Sequence, residues 1–335
     1  MLPPIAATTV GSFPRPSWLA TREGNDTVFS LAGEMLAEAQ DDATALVIGE
    51  QEAVGLDLVT DGEQRRTTFI NHVLAGFDGI DLERRALRDI RRRPGRQRLV
   101  PTVVGKVQWR GPILDDDVRF ARAQAQGLLK MAVPGPLTVV DTTVDETYGD
   151  EAALAMDFAA ALNLELRELQ AAGCDVIQID EPAMTRYHEK VDAFGAVALD
   201  RCLDGITVPT IVHLCYGYPG TGDPQYEFTY PELLAALMKT RIGGFSVEFA
   251  RSNFDPALLE ACRGRLVMFG CVDPSDTPPE PLELVVDRIR GALRHVAPEH
   301  LLIAPDCGLV TISRELARQK TALLVAAAAE VRRSL

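Results

Sequence analysis

From about residue 130 onward one rhythm repeats along the chain: a short β-branched run ends in polar or Gly/Pro residues and gives way to a long helical stretch. Strands are expected at Met131–Val133, Val176–Asp180, Thr210–Cys215, Phe245–Phe249, Leu266–Gly270 and Leu301–Pro305, with Ala7–Val10 and Leu58–Asp61 before them, which makes eight. Helices are expected at Glu34–Val54, Asp115–Lys130, Asp150–Ala172, Pro231–Thr240, Pro281–His295 and Ser313–Arg333, several opened by an acidic or Ser residue suited to an N-cap. Eight strands alternating with helices in 335 residues predict an α/β chain closed as a (β/α)8 TIM barrel. No phosphate-cradling GxGxxG follows an early strand, which counts against a doubly wound sheet.

The surplus over a typical barrel falls in residues 79–112, read as an inserted basic hairpin or flap within one domain spanning 1–335. Thr102–Val107 alternates like a strand, and Glu83–Arg98 carries eight arginines against two acids. A solvated flap with local ion pairs is the favoured reading of that run, ahead of an anion-docking role.

That run is unusual because the chain as a whole is acidic: 34 Lys+Arg against 48 Asp+Glu leave 34 − 48 = −14. Such a charge repels phosphate backbones and anionic membrane surfaces, so neither nucleic acid nor membrane is an expected partner. No window reaches about 18 uninterrupted apolar residues and Met1–Ala7 has no signal-peptide pattern, so the expected location is cytoplasmic. Six cysteines spread through a core-forming chain read as reduced thiols or metal ligands, not as a disulfide scaffold.

His213-Leu-Cys215 ends a buried apolar run, and residues two apart on a strand face the same way, so both side chains can meet one ion. Alone, that pattern is weak. Glu248 and Cys307 stand at the carboxyl ends of later strands, and in a barrel such ends converge. Two thiolates, an imidazole and a carboxylate make a tetrahedral zinc site whose hard carboxylate yields most easily to an incoming thiol. Cys174, Cys202 and Cys262 lack this context and are read as core. Two more strands end in acids, Asp61-Gly-Glu63 and Asp180-Glu181-Pro182. They are candidates for substrate work, or else for helix caps and pairs with Arg65, Arg66 or Arg186.

Taken in order, Thr9-Val-Gly-Ser-Phe-Pro14, Asp61-Gly-Glu63, Gly135-Pro136, Ile179-Asp-Glu-Pro-Ala183, His213-Leu-Cys-Tyr216, Val247-Glu248 and Pro305-Asp-Cys-Gly308 resemble the C-terminal catalytic barrel of cobalamin-independent methionine synthase. The resemblance implies Zn2+ on His213, Cys215, Glu248 and Cys307. It implies a homocysteine carboxylate on Val10, Gly11 and Ser12, and its ammonium on Glu63 and Asp180. The amino-acid thiol would then be methylated to methionine without a covalent enzyme intermediate.

The sequence also departs from that family. Its stacking Trp is replaced by Leu137-Thr-Val-Val-Asp-Thr-Thr-Val144, with Thr142 nearest its place, and its catalytic His by Gly270-Cys-Val-Asp-Pro-Ser-Asp-Thr277, with Ser275 or Asp276 nearest. The family's additional N-terminal half is not encoded in these 335 residues. The expected donor is therefore not a folate polyglutamate but a methylated corrinoid or other carrier, with the arginines between Arg84 and Arg98 available to dock an acidic carrier protein. His72 is the one residue placed to replace the missing acid. Alkylation of another thiol, such as epoxide opening by a coenzyme thiol, a metal-free decarboxylase of the same barrel superfamily, and a non-catalytic thiol or metal binder remain as rivals.

Overall fold

The eight short runs come together as one parallel sheet. The computed structural model describes residues 2–23, 26–90, 97–216, 229–252 and 254–335. Its barrel strands are β1 (Ala6–Ala7), β2 (Leu58–Thr60), β3 (Leu128–Pro134), β4 (Val176–Asp180), β5 (Thr210–Leu214), β6 (Gly244–Glu248), β7 (Leu266–Val272) and β8 (Leu301–Pro305). They lie in the order β1-β8-β7-β6-β5-β4-β3-β2. A parallel bridge between Thr8 and Leu58 joins the two ends, with the Thr8 hydroxyl donating to the Leu58 carbonyl at 2.8 Å. This is the predicted (β/α)8 barrel.

Around it run α1 (Gly33–Val54), α2 (Asp115–Gln124), α3 (Glu151–Ala171), α4 (Ala196–Cys202), α5 (Tyr230–Leu237), α6 (Leu282–Ala292) and α7 (Arg314–Arg332). Asp150 caps α3 by accepting from the N–H groups of Ala152 and Ala153 at 2.9 and 3.3 Å, and Ser313 caps α7 through Leu316 at 3.2 Å. The strands are buried on both faces, as a parallel sheet wrapped by helices must be, with Ile177, Ile179, Val212, Phe245 and Phe269 sealed from solvent. No helix among the described residues is long and apolar enough to cross a membrane.

Three expectations need correction. The helix expected over Asp115–Lys130 stops at Gln124, because Ala125 turns extended and Leu128–Pro134 continues as a barrel strand. The inserted hairpin starts at Phe77, two residues ahead of the expected boundary, and pairs Phe77–Asp89 with Gln97–Trp109. An antiparallel pair, Ala20–Glu23 with Asp26–Phe29, stands where no element was expected.

The long hairpin is anchored to α3: the Phe77 and Phe158 rings lie 5.0 Å apart, and the Trp109 indole donates to Glu165 at 2.9 Å. Arg84 pairs with Glu146 at 2.5 Å, and Arg88 reaches Glu151 at 3.4 Å and the Val140 carbonyl at 2.9 Å. These two arginines fasten the hairpin to the barrel. Arg91, Arg92, Arg93 and Arg96 lie outside the described residues.

Candidate active site

Strand register sets the site. His213 on β5 stands level with Asp180 on β4 and Ser246 on β6, so three strands deliver polar groups to one height at the carboxyl end of the barrel. Ser246 Oγ lies 2.8 Å from His213 Nδ1 and orients the ring, while His213 Nε2 is 3.8 Å from Cys307 Sγ. Cys215 Sγ and Cys307 Sγ are 3.3 Å apart.

The ligand atoms of His213, Cys215, Glu248 and Cys307 all lie within 4.8 Å of one another, and all four residues are buried. A tetrahedron with zinc–sulfur bonds of about 2.3 Å has edges of about 3.8 Å, so these separations suit that ion. None of the six cysteines is in a disulfide. Burial pushes the Glu248 carboxyl well above the usual range, and Cys215 and Asp306 push it the same way. A divalent cation reverses that balance, since a charge of +2 among two thiolates and a carboxylate favours their ionised forms. The residues present fit zinc.

Asp306 holds the turn that follows Glu248: its carboxylate accepts from the N–H groups of Phe249, Ala250 and Arg251 at 3.0, 2.9 and 2.8 Å. A Cβ at Gly270 would meet Asp306 Oδ1 at 2.3 Å, so only glycine fits beside it.

The residues expected to bind an amino acid adjoin the metal-ligand group. The carbonyls of Val10, Gly11 and Ser12 accept from Lys130, the Thr60 hydroxyl and the Leu309 N–H at 2.6, 2.9 and 2.9 Å. Among the described residues no hydrogen bond occupies the N–H groups of residues 10–12. Glu63 faces this turn in a left-handed backbone conformation, φ 56°, unusual for a residue with a side chain. Arg15 braces it, donating to the carbonyls of Glu63 and Arg66 at 2.6 Å each. Burial pushes the Glu63 and Asp180 carboxyls up, opposed at Glu63 chiefly by Arg66 and at Asp180 by a 2.7 Å bond from the Gln178 amide. Val10, Ser12, Glu63, Asp180, His213, Cys215 and Cys307 all line one cavity of about 470 Å³, which Arg22 and Thr27 of the short antiparallel pair also border.

The remaining candidates sit elsewhere. Ser275 bonds Asp273 through its N–H and hydroxyl, both at 2.8 Å, and does not line the cavity. His72 does not line it either; it lies on the short helix Phe69–Leu74 with Nε2 3.9 Å from Asp117. Burial and the Arg66 charge lower its pKa to about 4. Thr142 is buried at the end of the helix Pro136–Asp141 and returns its hydroxyl to the Thr138 carbonyl. Glu181 is a strut: it accepts from Leu137 N, Thr138 N and Thr138 Oγ1 at 2.9, 2.8 and 2.7 Å and so pins that helix.

Comparison with known proteins agrees with this geometry. The profile of the family described as "Cobalamin-independent synthase, Catalytic domain" matches residues 5–330. The chain belongs to that family. As a member of it, it is an enzyme, a methyltransferase of the methionine synthase type. A methionine synthase of Sulfurisphaera tokodaii is 31% identical over 338 residues, covering 100% of this chain and 94% of the relative. A methionine synthase of Pyrococcus abyssi is 29% identical over 336 residues, covering 100% and 95%. The solved B12-independent methionine synthase from Shewanella sp. W3-18-1, in complex with selenomethionine, superposes with a TM-score of 0.94 at 36% identity, covering 99% of this chain and 98% of that one. These comparisons give a corrinoid protein no support as partner.

Proposed function

We propose that this chain methylates the thiol of homocysteine to give methionine, using zinc held by His213, Cys215, Glu248 and Cys307 and a donor other than folate polyglutamate. The observation that carries the reading is the shared cavity, in which His213, Cys215 and Cys307 of the four-residue group open beside the turn at residues 10–12 and the carboxylates of Glu63 and Asp180. An α-amino acid with a side-chain thiol matches those features one by one. The selenomethionine held by the Shewanella relative has the chemistry of the product. Residues 1–335 are taken as one catalytic unit, working in a reducing cytoplasm where its thiols stay reduced.

Zinc bound there would hold the substrate sulfur as a thiolate at neutral pH. The protein's part is positioning. The N–H groups of residues 10–12 receive the substrate carboxylate, Glu63 and Asp180 receive its ammonium, and the sulfur is thereby directed to the metal group. His213 keeps its ring orientation through Ser246. Glu248 would be the hard donor to a bound zinc, and so the ligand most readily exchanged for a thiol.

Two placements support the donor reading. The residues at the place of the stacking Trp, Leu137–Thr143, are buried, with Leu137 and Thr138 bonded to Glu181, and present no aromatic ring. Ser275 is committed to Asp273, and His72 is neutral and outside the cavity lining, so neither is set to protonate a departing folate nitrogen. The test offers zinc-loaded protein homocysteine with methylcobalamin, methyltetrahydrofolate or its polyglutamate in parallel and measures methionine. Methionine formed fastest from the polyglutamate, and lost in His72→Ala, would contradict the donor reading. No methionine from any methyl donor, with tight thiol binding, would favour a non-catalytic binder.

A further inference from the structure

Lys130 was expected at the end of a helix and instead points into the barrel from β3, fully buried between Leu129 and Met131. A sealed ammonium is costly, and an apolar side chain of similar volume there would serve packing at least as well. What the lysine touches explains its presence. Its Nζ donates to the Val10 carbonyl at 2.6 Å and to Gln178 Oε1, and the Gln178 amide donates onward to Asp180 Oδ1 at 2.7 Å. One cation thus links the turn that takes the substrate carboxylate to a carboxylate that takes its ammonium.

We propose that Lys130 is the positioning residue of the amino-acid pocket, fixing the span between the Val10–Ser12 turn and Asp180 through Val10 and Gln178. The inference rests on the pocket reading above and deepens it. Because Lys130 bonds the Val10 carbonyl, it orients the peptide units whose N–H groups face the cavity. Through Gln178 it fixes the Asp180 side chain, and its charge offsets the carboxylates of Asp180, Glu63 and Asp61, which all act on it. Two buried acids beside each other hold their charges better with a cation behind them. Lys130 does not line the cavity, so it acts through these neighbours and does not touch substrate.

The test compares two thiols by calorimetry on zinc-loaded protein: homocysteine, and 3-mercaptopropanol, which lacks both the carboxylate and the ammonium. In the parent, homocysteine should bind much the more tightly. Lys130→Met should weaken homocysteine by at least about tenfold, the loss expected for charge-assisted hydrogen bonds, and leave mercaptopropanol affinity and zinc content unchanged. Gln178→Leu, which cuts the link to Asp180 and keeps the Val10 bond, should show the same selective loss at smaller size, and it carries the comparison if Lys130→Met fails to fold. Unchanged homocysteine affinity in either soluble variant, or equal loss for both thiols, would overturn the proposal while leaving the pocket reading intact. A parent protein that does not prefer homocysteine would overturn the pocket reading and this proposal with it.

Discussion

The Glu63 carboxylate rests on the backbone of Gly11: a Cβ built at residue 11 would meet Glu63 Oε1 at 3.0 Å. The two ends of the proposed amino-acid pocket are therefore in contact, and only a glycine lets the acid approach so closely. Gly11→Ala should displace the carboxylate by a few tenths of an ångström and weaken homocysteine about tenfold, with zinc content unchanged. Calorimetry on the zinc-loaded variant measures this, and parental affinity would detach Glu63 from the pocket.

The carboxylates themselves give a larger effect. On the proposed pocket, Asp180→Asn and Glu63→Gln each remove a partner of the substrate ammonium and should cost about 1.5 to 3 kcal/mol of homocysteine binding. Neither residue belongs to the metal group, so metal content should stay at the parental value.

Zinc should be present at about one ion per chain, and Cys215→Ser or Cys307→Ser should lose most of it, since each removes a thiolate from a four-ligand group. Ser246→Ala, which removes the Ser246 bond to His213 Nδ1, should lower zinc affinity by about 10- to 100-fold without touching a ligand. Metal analysis after dialysis against a graded chelator separates the two classes of variant.

Acid should weaken zinc binding. Burial holds the Glu248 carboxyl above its usual range, so a proton must leave it, and the thiols must ionise, as the metal enters. Zinc affinity should therefore rise with pH through neutrality, read by competition with a chelator of known pH dependence.

Metal-free protein should show the opposite trend in stability. Burial raises Asp117 and Glu181 to about 7, above their unfolded values. Between about pH 4 and 7 the folded chain then holds more protons than the unfolded one, so stability is full below that window and is lost as pH rises through it. The melting temperature should fall from pH 5.5 to 8, and Asp117→Asn should flatten the fall.

The barrel was legible because parallel strands buried on both faces write themselves as short apolar runs, and the acids, His and Cys that end those runs fall together at one rim. His213 and Cys215 were visible through strand alternation, and Glu248 and Cys307 through their place at strand ends. Lys130 was hidden because the acidic start and mixed composition of residues 115–130 read as one helix, although Gly127 marks the break. The work of Asp306 and Glu181 was hidden for a different reason. Both bond backbone N–H groups from other elements, Asp306 on the turn after β6 and Glu181 on the helix after β3, and such long-range partners leave no spacing signal in the chain. Ser246 lies on the neighbouring strand from His213, so only register reveals it.

The account stands most directly on where the substrate sulfur goes. X-ray absorption at the zinc edge, with and without homocysteine, reads that directly. The four residues predict two sulfur neighbours from Cys215 and Cys307 in the substrate-free protein and a third when homocysteine binds, with loss of the oxygen from Glu248. An unchanged sulfur count on adding saturating homocysteine would contradict the account.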